Sequence, residues 1–338
     1  LNAQQFANFA NEIAEQDSFA TFGPWTNPDS LRTADFQDAM FRNAPTQNYN
    51  LTLSGGSEKT QALAGFSYMD KDGVVKGSSF KRYGAKFNVD HEVADWLNIG
   101  TNINVAHVIK RTEYGTSNNQ LSNLPQLVPV MTGNPNTMKI KDDQGRYGYH
   151  NPLQEQGILG QAGNPFADVE SINVDPKSNR ILTNTFLEAK IIEGLTFKTN
   201  LGADFRQFDY TRQVPEWDPE LGVGRPQTPE NDFQQTHNRT FEWLIENTLT
   251  YQNSIGDHNI KILLGQSAQE NTFRNIGLVA RGFPSNSLRT LEGASTYLTD
   301  QNNLDGARQI WALNSYFGRV NYGFRDKYLL TATVRRDG

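Results

Sequence analysis

The residues best suited to chemistry in this sequence are its histidines and carboxylates, and their spacing supports no catalytic or metal site. No HExxH or other metal-ligand spacing occurs among the histidines, which are His91, His107, His150, His237 and His258. The chain contains no cysteine, which excludes both disulfides and thiolate metal sites. We therefore predict no metal and no cofactor, and each histidine is interpreted as a polar residue of a strand or loop.

Three further patterns resemble active-site motifs and fail on inspection. The segment 265–269 reads GQSAQ, which lacks the second glycine of a nucleophile elbow and lies in a strand-like stretch. The segment 70–73 reads DKDG, but no glutamate follows at the EF-hand position, so a hairpin connection fits better. Glu242 and Glu246 share one face of a predicted strand, as expected of a polar wall. The sequence therefore predicts a protein that is not an enzyme.

The stretch 80–108 supplies the element that organises the rest of the chain. Its side chains alternate between apolar and polar over two arms of about a dozen residues, roughly twice the usual strand length of ~5–6. The apolar set is Tyr83, Ala85, Phe87, Val89 and Val93 on the first arm and Leu97, Ile99, Ile103 and Val105 on the second. This pattern predicts a hairpin with one apolar and one polar face, joined by a minimal turn beside Trp96.

Bulk properties remove several classes of protein. The formal charge of −6 argues against a nucleic-acid binder, which normally carries a basic patch. No apolar run approaches the ~20 residues of a membrane-spanning helix. Strands of a membrane barrel are not excluded, because they hide their lipid-facing residues in alternation.

The order of connections indicates a barrel. Residues 1–47 are not strand-like and contain an amphipathic helix pattern over Ala3–Gln16, with Phe6, Phe9 and Ile13 on one side. From residue 48 we count about ten strands, in which every second connection is tight and the others form long loops at 110–179, 210–234 and 275–307. Outer-membrane barrels have short periplasmic turns and long extracellular loops. The final residues still read as a strand, so we expect a piece of a longer chain.

A soluble β-sandwich would show the same alternation of apolar and polar residues. Strand length, the alternation of connections and aromatic residues near the short turns together favour a membrane barrel. Those aromatic residues are Trp96, Tyr251, Tyr322, Phe324 and Tyr328.

Several long phrases resemble the SusC/RagA family of TonB-dependent outer-membrane transporters, in family order from about residue 34 onward. They are NYNLTLSGGSEKT, GFSYMDKDGVVKGSSFKRYGAKFNVDHEVADWLNIGTN, LTFKTNLGADF and YFGRVNYGFRDKYLLTATVRRDG. The resemblance implies an all-β fold, an antiparallel transmembrane β-barrel of 22 strands around an N-terminal plug, of which this chain would supply about half. Residues 1–47 would be an extracellular loop with a short helix, and residues 48–338 a partial barrel of about ten strands.

The resemblance also implies a function. Such proteins import oligosaccharides or oligopeptides through the outer membrane of Gram-negative, Bacteroidetes-like bacteria, together with a SusD-like surface lipoprotein, and two such pairs can form a dimer. Energy comes through TonB, whose contact segment is missing from this chain, as is the plug. The alternatives are an ungated porin-like barrel and a soluble glycan-binding or adhesive β-protein.

Aromatic and amide residues in the predicted loops are the candidates for cargo binding, because sugar faces stack on aromatic rings and polar side chains bind hydroxyls. The predicted set is Trp25, Tyr147, Tyr149, Trp217, Phe233 and Phe283. These rings could instead pin the long loops or meet a lipoprotein lid, so the prediction concerns the loops as a group.

Overall fold

The structure of the chain is a computed structural model that describes residues 3–16, 27, 29, 36–111, 141, 166, 169–170, 172–216, 231–288, 290–298 and 304–338. Within these residues, eleven strands form one antiparallel sheet in the order β1 to β8, β10, β11, with β9 paired to β8. Sequence neighbours pair along the sheet, except that β10 pairs with β8 past the three-residue strand β9, so the sheet is a meander. No helix in the described part of the chain is long and apolar enough to cross a membrane.

In the described part of the chain, two helices precede the sheet, and the strands that follow are long. Helix α1 spans Ala3–Gln16, the residues of the amphipathic pattern, and α2 spans Phe36–Met40. Strands β5 to β8 are 20 to 24 residues long, far beyond the ~5–6 residues usual in globular proteins. The strands are β1 Thr46–Gly56, β2 Thr60–Asp72, β3 Ser79–Ala94, β4 Leu97–Arg111, β5 Asn173–Ile192, β6 Leu195–Val214, β7 Asp232–Ile255, β8 His258–Arg281, β9 Thr296–Leu298, β10 Leu304–Phe324 and β11 Tyr328–Asp337.

The tight turns lie at one end of the sheet, and three of the five use left-handed backbone where the chain reverses. Gly194 joins β5 to β6 with φ of +77°, and Gly256 joins β7 to β8 with φ of +56°. The β10–β11 turn reaches the same region without glycine, at Arg325 and Asp326. Arg325 is held there because its guanidinium contacts the Asp257 carboxylate of the adjacent turn at 2.6 Å. Left-handed residues of this kind are typical of short hairpin connections.

Cross-strand register sorts the side chains into two faces. We call the face that carries Phe87 and Ile99 the apolar face, and the face that carries Asn102 the polar face. Phe87 stands opposite Ala64 on β2 and Ile103 on β4, whereas Asn102 stands opposite Asn88 and Asn184. The alternation predicted for the hairpin at 80–108 therefore continues across the sheet.

The apolar face is not covered by any other layer among the described residues, which distinguishes this sheet from a sandwich. Leu264, on an interior strand, is 58% exposed, and Phe241 and Ile99 are 41% and 39% exposed. Burying such side chains is the main favourable term in folding, so an apolar medium has to meet this face.

Buried apolar residues are few in the described part of the chain and lie near the long connections. Ile172 packs with Val214, and Phe233 packs with Ala280 and Phe283. These two small clusters fasten the ends of strands and do not form a central core.

Strands extend further into the long connections than the sequence pattern indicated. Strand β5 begins at Asn173, inside the predicted loop 110–179, and β7 begins at Asp232, inside 210–234. Both faces are polar in these extensions, so there is no alternation to detect although the backbone ladder continues. Pro176 is tolerated in β5 because the pairing with β4 stops at Lys177, which leaves no hydrogen bond on that side to lose.

Candidate functional site

The polar face of β3 to β8 carries charged and amide side chains that have defined partners. Successive residues of a strand point to opposite faces, so the polar members of each strand form continuous rows across the sheet. This surface is the candidate functional site, and its parts are described from β5 outward.

Asp204 on β6 is the centre of a charge network on the polar face. Arg180 on β5 donates from Nε to Oδ1 at 2.9 Å and from Nη2 to Oδ2 at 2.8 Å, a bidentate pair. Arg206 donates from Nε to Oδ2 at 2.9 Å. Arg180 and Arg206 are direct cross-strand partners, an arrangement that would repel without the carboxylate between them. Only 10% of the Asp204 side chain is exposed, so the network is fixed on the wall.

Glu242 on β7 is held by two amides of β8. Its Oε1 accepts from Gln269 at 2.7 Å and its Oε2 accepts from Asn271 at 2.9 Å. Both carboxylate oxygens thus accept a hydrogen bond from a neutral donor on the polar face, and Glu242 forms no salt bridge with the described residues.

Two phenylalanines lie flat on the polar face over glycines of the neighbouring strand. A Cβ at Gly100 would come within 2.3 Å of the Phe186 ring, and one at Gly265 within 2.2 Å of the Phe317 ring. A cation covers each ring, with Lys198 Nζ 4.6 Å from the Phe186 centroid and the Arg335 guanidinium 5.8 Å from that of Phe317. The glycines thus make room for these two aromatic rings on the polar face.

Basic side chains line a shallow depression at the β1–β5 side of the polar face. Arg82, Lys86 and Arg180 border it together with Asn104. Arg180 is neutralised by Asp204, whereas Arg82 and Lys86 form no ion pair with any carboxylate of the described residues. The depression can therefore offer hydrogen-bond donors and positive charge to a ligand or to another segment of protein.

The predicted binding aromatics are placed only in part. Trp25, Tyr147, Tyr149 and Trp217 lie outside the described residues. Phe233 is the second residue of β7 and Phe283 follows β8; their rings meet edge to face at 6.1 Å, and the residues are 3% and 6% exposed. These two rings hold strand ends together, and the prediction that the loops as a group bind cargo stays a prediction.

The described histidines each have a neutral or acidic partner on the wall. His91 bonds Thr60, His107 bonds Asn179, His237 bonds Asp209 and His258 bonds the Tyr322 hydroxyl. Where side chains are described, no group of three His, Cys, Asp or Glu residues could hold a metal ion.

The apolar face ends in aromatic residues on both sides. Near the short turns, His258 packs on Phe324 at 5.0 Å and Phe324 stacks on Tyr328 at 6.5 Å. At the other end, a row that the sequence analysis missed runs across β1 to β4: Tyr49, Tyr68, Tyr83 and His107, with successive ring centroids 6.3, 5.1 and 6.0 Å apart. Trp and Tyr concentrate at the two interfaces of a membrane protein.

Polar residues resume directly beyond the tyrosine row, which marks the limit of the apolar band. Asp70 lies outside the band, accepts from Tyr68 at 2.8 Å and pairs with Lys81 at 2.9 Å. The hydrogen bond from Lys81, and then that from Tyr68, hold the pKa of the Asp70 carboxyl below its ordinary value.

One stretch of the apolar face departs from the pattern. Asn247 on β7 donates to the Gln266 amide oxygen of β8 at 3.2 Å, and Gln266 donates to Asn314 of β10 at 3.2 Å. The three amides satisfy one another across three strands, which reduces the cost of polar groups on this face.

Comparison with known proteins shows which proteins the chain is similar to. The chain is 28% identical over 345 residues to TonB-dependent receptor P3 of Formosa agariphila, covering 99% of this chain and 32% of that protein. It is 23% identical over 357 residues to TonB-dependent receptor SusC of Bacteroides thetaiotaomicron, covering 100% of this chain and 33% of that protein. No protein-family model matches the chain.

The solved structure of the RagAB peptide transporter superposes on the whole chain with a TM-score of 0.74, at 22% identity and over 39% of that chain. These findings support a SusC/RagA-type TonB-dependent transporter. The resemblance predicted from the sequence and the predicted fold class are both confirmed. By fold, the sheet is one part of a β-barrel of this type, with one exposed apolar face and one polar face.

The chain spans about a third of the length of the curated relatives it matches. Those relatives are named as TonB-dependent receptors.

Proposed function

We propose that this chain forms part of a SusC-type importer in the outer membrane of a Gram-negative, Bacteroidetes-like bacterium, taking up oligosaccharides or oligopeptides. The observation that carries the proposal is a single antiparallel sheet whose exposed apolar face suits lipid and whose polar face bears charges and amides. An importer needs both surfaces on the same strands, because one side of the wall is solvated by acyl chains and the other by water.

The partners of the proposed importer are inferred from the names of the relatives. A structural neighbour is titled a RagAB peptide transporter, and a sequence relative is named SusC, which supports a SusD-like surface lipoprotein as the companion of this chain. The names of the relatives support TonB as the energy source, acting on a plug within the barrel. Assembly of two importer–lipoprotein pairs into a dimer is part of the same proposal.

The polar face fits either class of cargo. Arg82 and Lys86 offer donors for hydroxyls, carbonyls or carboxylates, while Glu242 offers acceptors for hydroxyls and amides. The rings of Phe186 and Phe317 add flat apolar surface between them. Loop aromatics, including Trp25, Tyr147, Tyr149 and Trp217 of the predicted set, would make the first contact with cargo outside the membrane.

An ungated porin-like barrel would have a similar wall, and the energy dependence of uptake distinguishes it from the proposed importer. The test is uptake of fluorescent oligosaccharides and oligopeptides by a strain that carries the complete gene, compared with a deletion strain and with a strain that lacks TonB. The proposal expects uptake that needs both the gene and TonB. Uptake that persists without TonB would indicate a porin.

The soluble glycan-binding alternative is separated by fractionation of the same cells. The importer should remain with the outer membrane until detergent extracts it. Recovery in the soluble fraction would refute the importer and the membrane placement together.

A further inference from the structure

Three arginines stand side by side on the apolar face of neighbouring strands. Arg239 on β7 is the direct cross-strand partner of Arg274 on β8, which in turn partners Arg308 on β10. All three side chains are exposed. We call this set the arginine ladder.

The height of the arginine ladder follows from the strands. On β7 the apolar face runs from Tyr251 near the short turn to Phe241, ten residues away. A strand tilted by ~40° gains about 2.5 Å of height per residue, so this run spans about 25 Å, the height of the apolar band of an outer-membrane barrel. Arg239 is the next residue of the same face beyond Phe241, at the end of the sheet that carries the long connections. The arginine ladder therefore lies at the extracellular rim of the band.

No described residue neutralises the charges of the arginine ladder. None of the three guanidinium groups forms an ion pair with a carboxylate of the described residues. The nearest acidic residues of that face are already bonded or distant. Asp209 accepts from His237 at 2.6 Å and from Gln207 at 2.8 Å, and Glu270 lies four residues along β8 from Arg274, about 13 Å away.

Like charges directly opposite each other on adjacent strands are destabilising, so an anion bound among three in a row would relieve their repulsion. The Cβ atoms of directly opposite residues lie about 5 Å apart, so neighbouring guanidinium groups can share the oxygens of one phosphate through charge-assisted hydrogen bonds. The residues one step toward the band are Phe241, Thr272 and Ile310, which suit the acyl chains of the same molecule. Arg239 is fixed in place by stacking on Phe205 at 5.1 Å.

We propose that the arginine ladder binds the phosphate of an anionic lipid of the outer leaflet, with lipid A as the chemical type. A phospholipid-type molecule supplies a phosphate anion for the arginine ladder and acyl chains for Phe241, Thr272 and Ile310. A free phosphate supplies only the anion. The inference rests on the outer-membrane placement in the proposed function.

The test is native mass spectrometry of the complete transporter, purified in detergent and titrated with diphosphoryl lipid A. The test variant is Arg239→Gln/Arg274→Gln/Arg308→Gln, and the matched control is Lys59→Gln/Lys261→Gln/Lys327→Gln, which removes the same charge from exposed positions at the opposite end of the wall. Each basic residue near an anionic surface contributes about fivefold in affinity, so the ladder variant should bind lipid A about 100-fold more weakly. The control should bind as the unmodified protein does. Heat-modifiable migration on gels verifies that both variants are folded.

Further arms distinguish the sources of the anion. Inorganic phosphate at millimolar concentration should displace lipid A only weakly; full displacement would make the site one for a free anion and overturn the proposal. Equal lipid A binding by the ladder variant and the control would also overturn it. A photo-crosslinker at Ile276, which is 65% exposed just beyond the arginine ladder, should give lipid adducts in cells. Adducts with protein alone would assign the surface to a protein partner and refute the lipid.

These results are separable from failure of the proposed function. If the protein fractionates away from the outer membrane, the importer itself is refuted. If the protein remains in the outer membrane and the arginine ladder does not bind lipid A, only the lipid-binding proposal is refuted.

Discussion

Placing a charge on the apolar face tests the assignment of the two faces most directly. Phe87 lies four residues below Tyr83 in β3, about 10 Å beneath the extracellular rim of a band about 25 Å tall, so it is close to the midplane. Arginine at the midplane of such a barrel costs about 2–4 kcal/mol, and we expect Phe87→Arg to lower the free energy of unfolding by that amount.

Ile99 provides a graded comparison on the same face. It lies eight residues from His107, which shares a row with Tyr83, and so stands about 20 Å below the rim and near the inner interface. The cost of an arginine falls toward the interfaces, and Ile99→Arg should cost about 1 kcal/mol. Asn102→Arg, on the polar face between Asn88 and Asn184, should change stability by about 0.5 kcal/mol or less.

The assay is reversible urea unfolding of the complete transporter in lipid bilayers, followed by tryptophan fluorescence. Phe87→Leu is the necessary control, because Phe87 also packs edge to face on Phe66 at 5.8 Å, a contact whose loss costs about 1 kcal/mol. Destabilisation in the order Phe87, Ile99, Asn102 is the expected result. Equal effects at the three positions would refute the orientation of the sheet.

Three other predictions concern the turns and the polar face. Gly194→Ala should destabilise the protein by about 2 kcal/mol or more, because a Cβ there adds a 2.4 Å clash with a neighbouring carbonyl oxygen to an unfavourable left-handed backbone. Gly256→Ala, with open space around the new Cβ, should cost about 1 kcal/mol. Thermal unfolding distinguishes the two variants, and equal melting temperatures would contradict the clash. Asp204→Asn should lower the free energy of unfolding by about 1.5–3 kcal/mol, because two opposed arginines lose the carboxylate between them. A double-mutant cycle tests this reason: the additional removal of one arginine must restore stability. Arg325→Ala should cost about 1 kcal/mol because the Asp257 contact is lost. Arg325→Gly should be nearly neutral, because relief of the left-handed backbone offsets that loss. Thermal unfolding compares the two variants, and a glycine variant no more stable than the alanine variant would contradict this explanation.

The sequence was sufficient to predict strands and faces wherever apolar and polar residues alternate. Phe87, Ile99 and Asn102 lie on the faces predicted for them, because a period of two is imposed by the pleat and needs no tertiary information. The short turns near Ala94, Gly194 and Gly256 were equally readable from their length and composition.

Features that depend on register could not be read from the sequence. Arg180 and Asp204 lie 24 residues apart and meet only because β5 and β6 pair as they do. The tyrosine row and the arginine ladder are each spread over separate strands in the same way. Phe233 looked like a loop residue because its neighbours are polar on both faces, while β7 in fact continues through it. Long-range pairing, and not local pattern, decides these contacts.

The contrast between turns and long connections has a consequence for the order of assembly. Closing a loop costs conformational entropy that grows with the logarithm of its length, so joining β4 to β5 across residues 112–172 costs about 2–3 kcal/mol more than closing a turn of three residues. Each hairpin can therefore zip up from its own turn before its neighbours arrive. The seams between hairpins, such as that between β4 and β5, close last, and slow or faulty maturation of the wall should begin there.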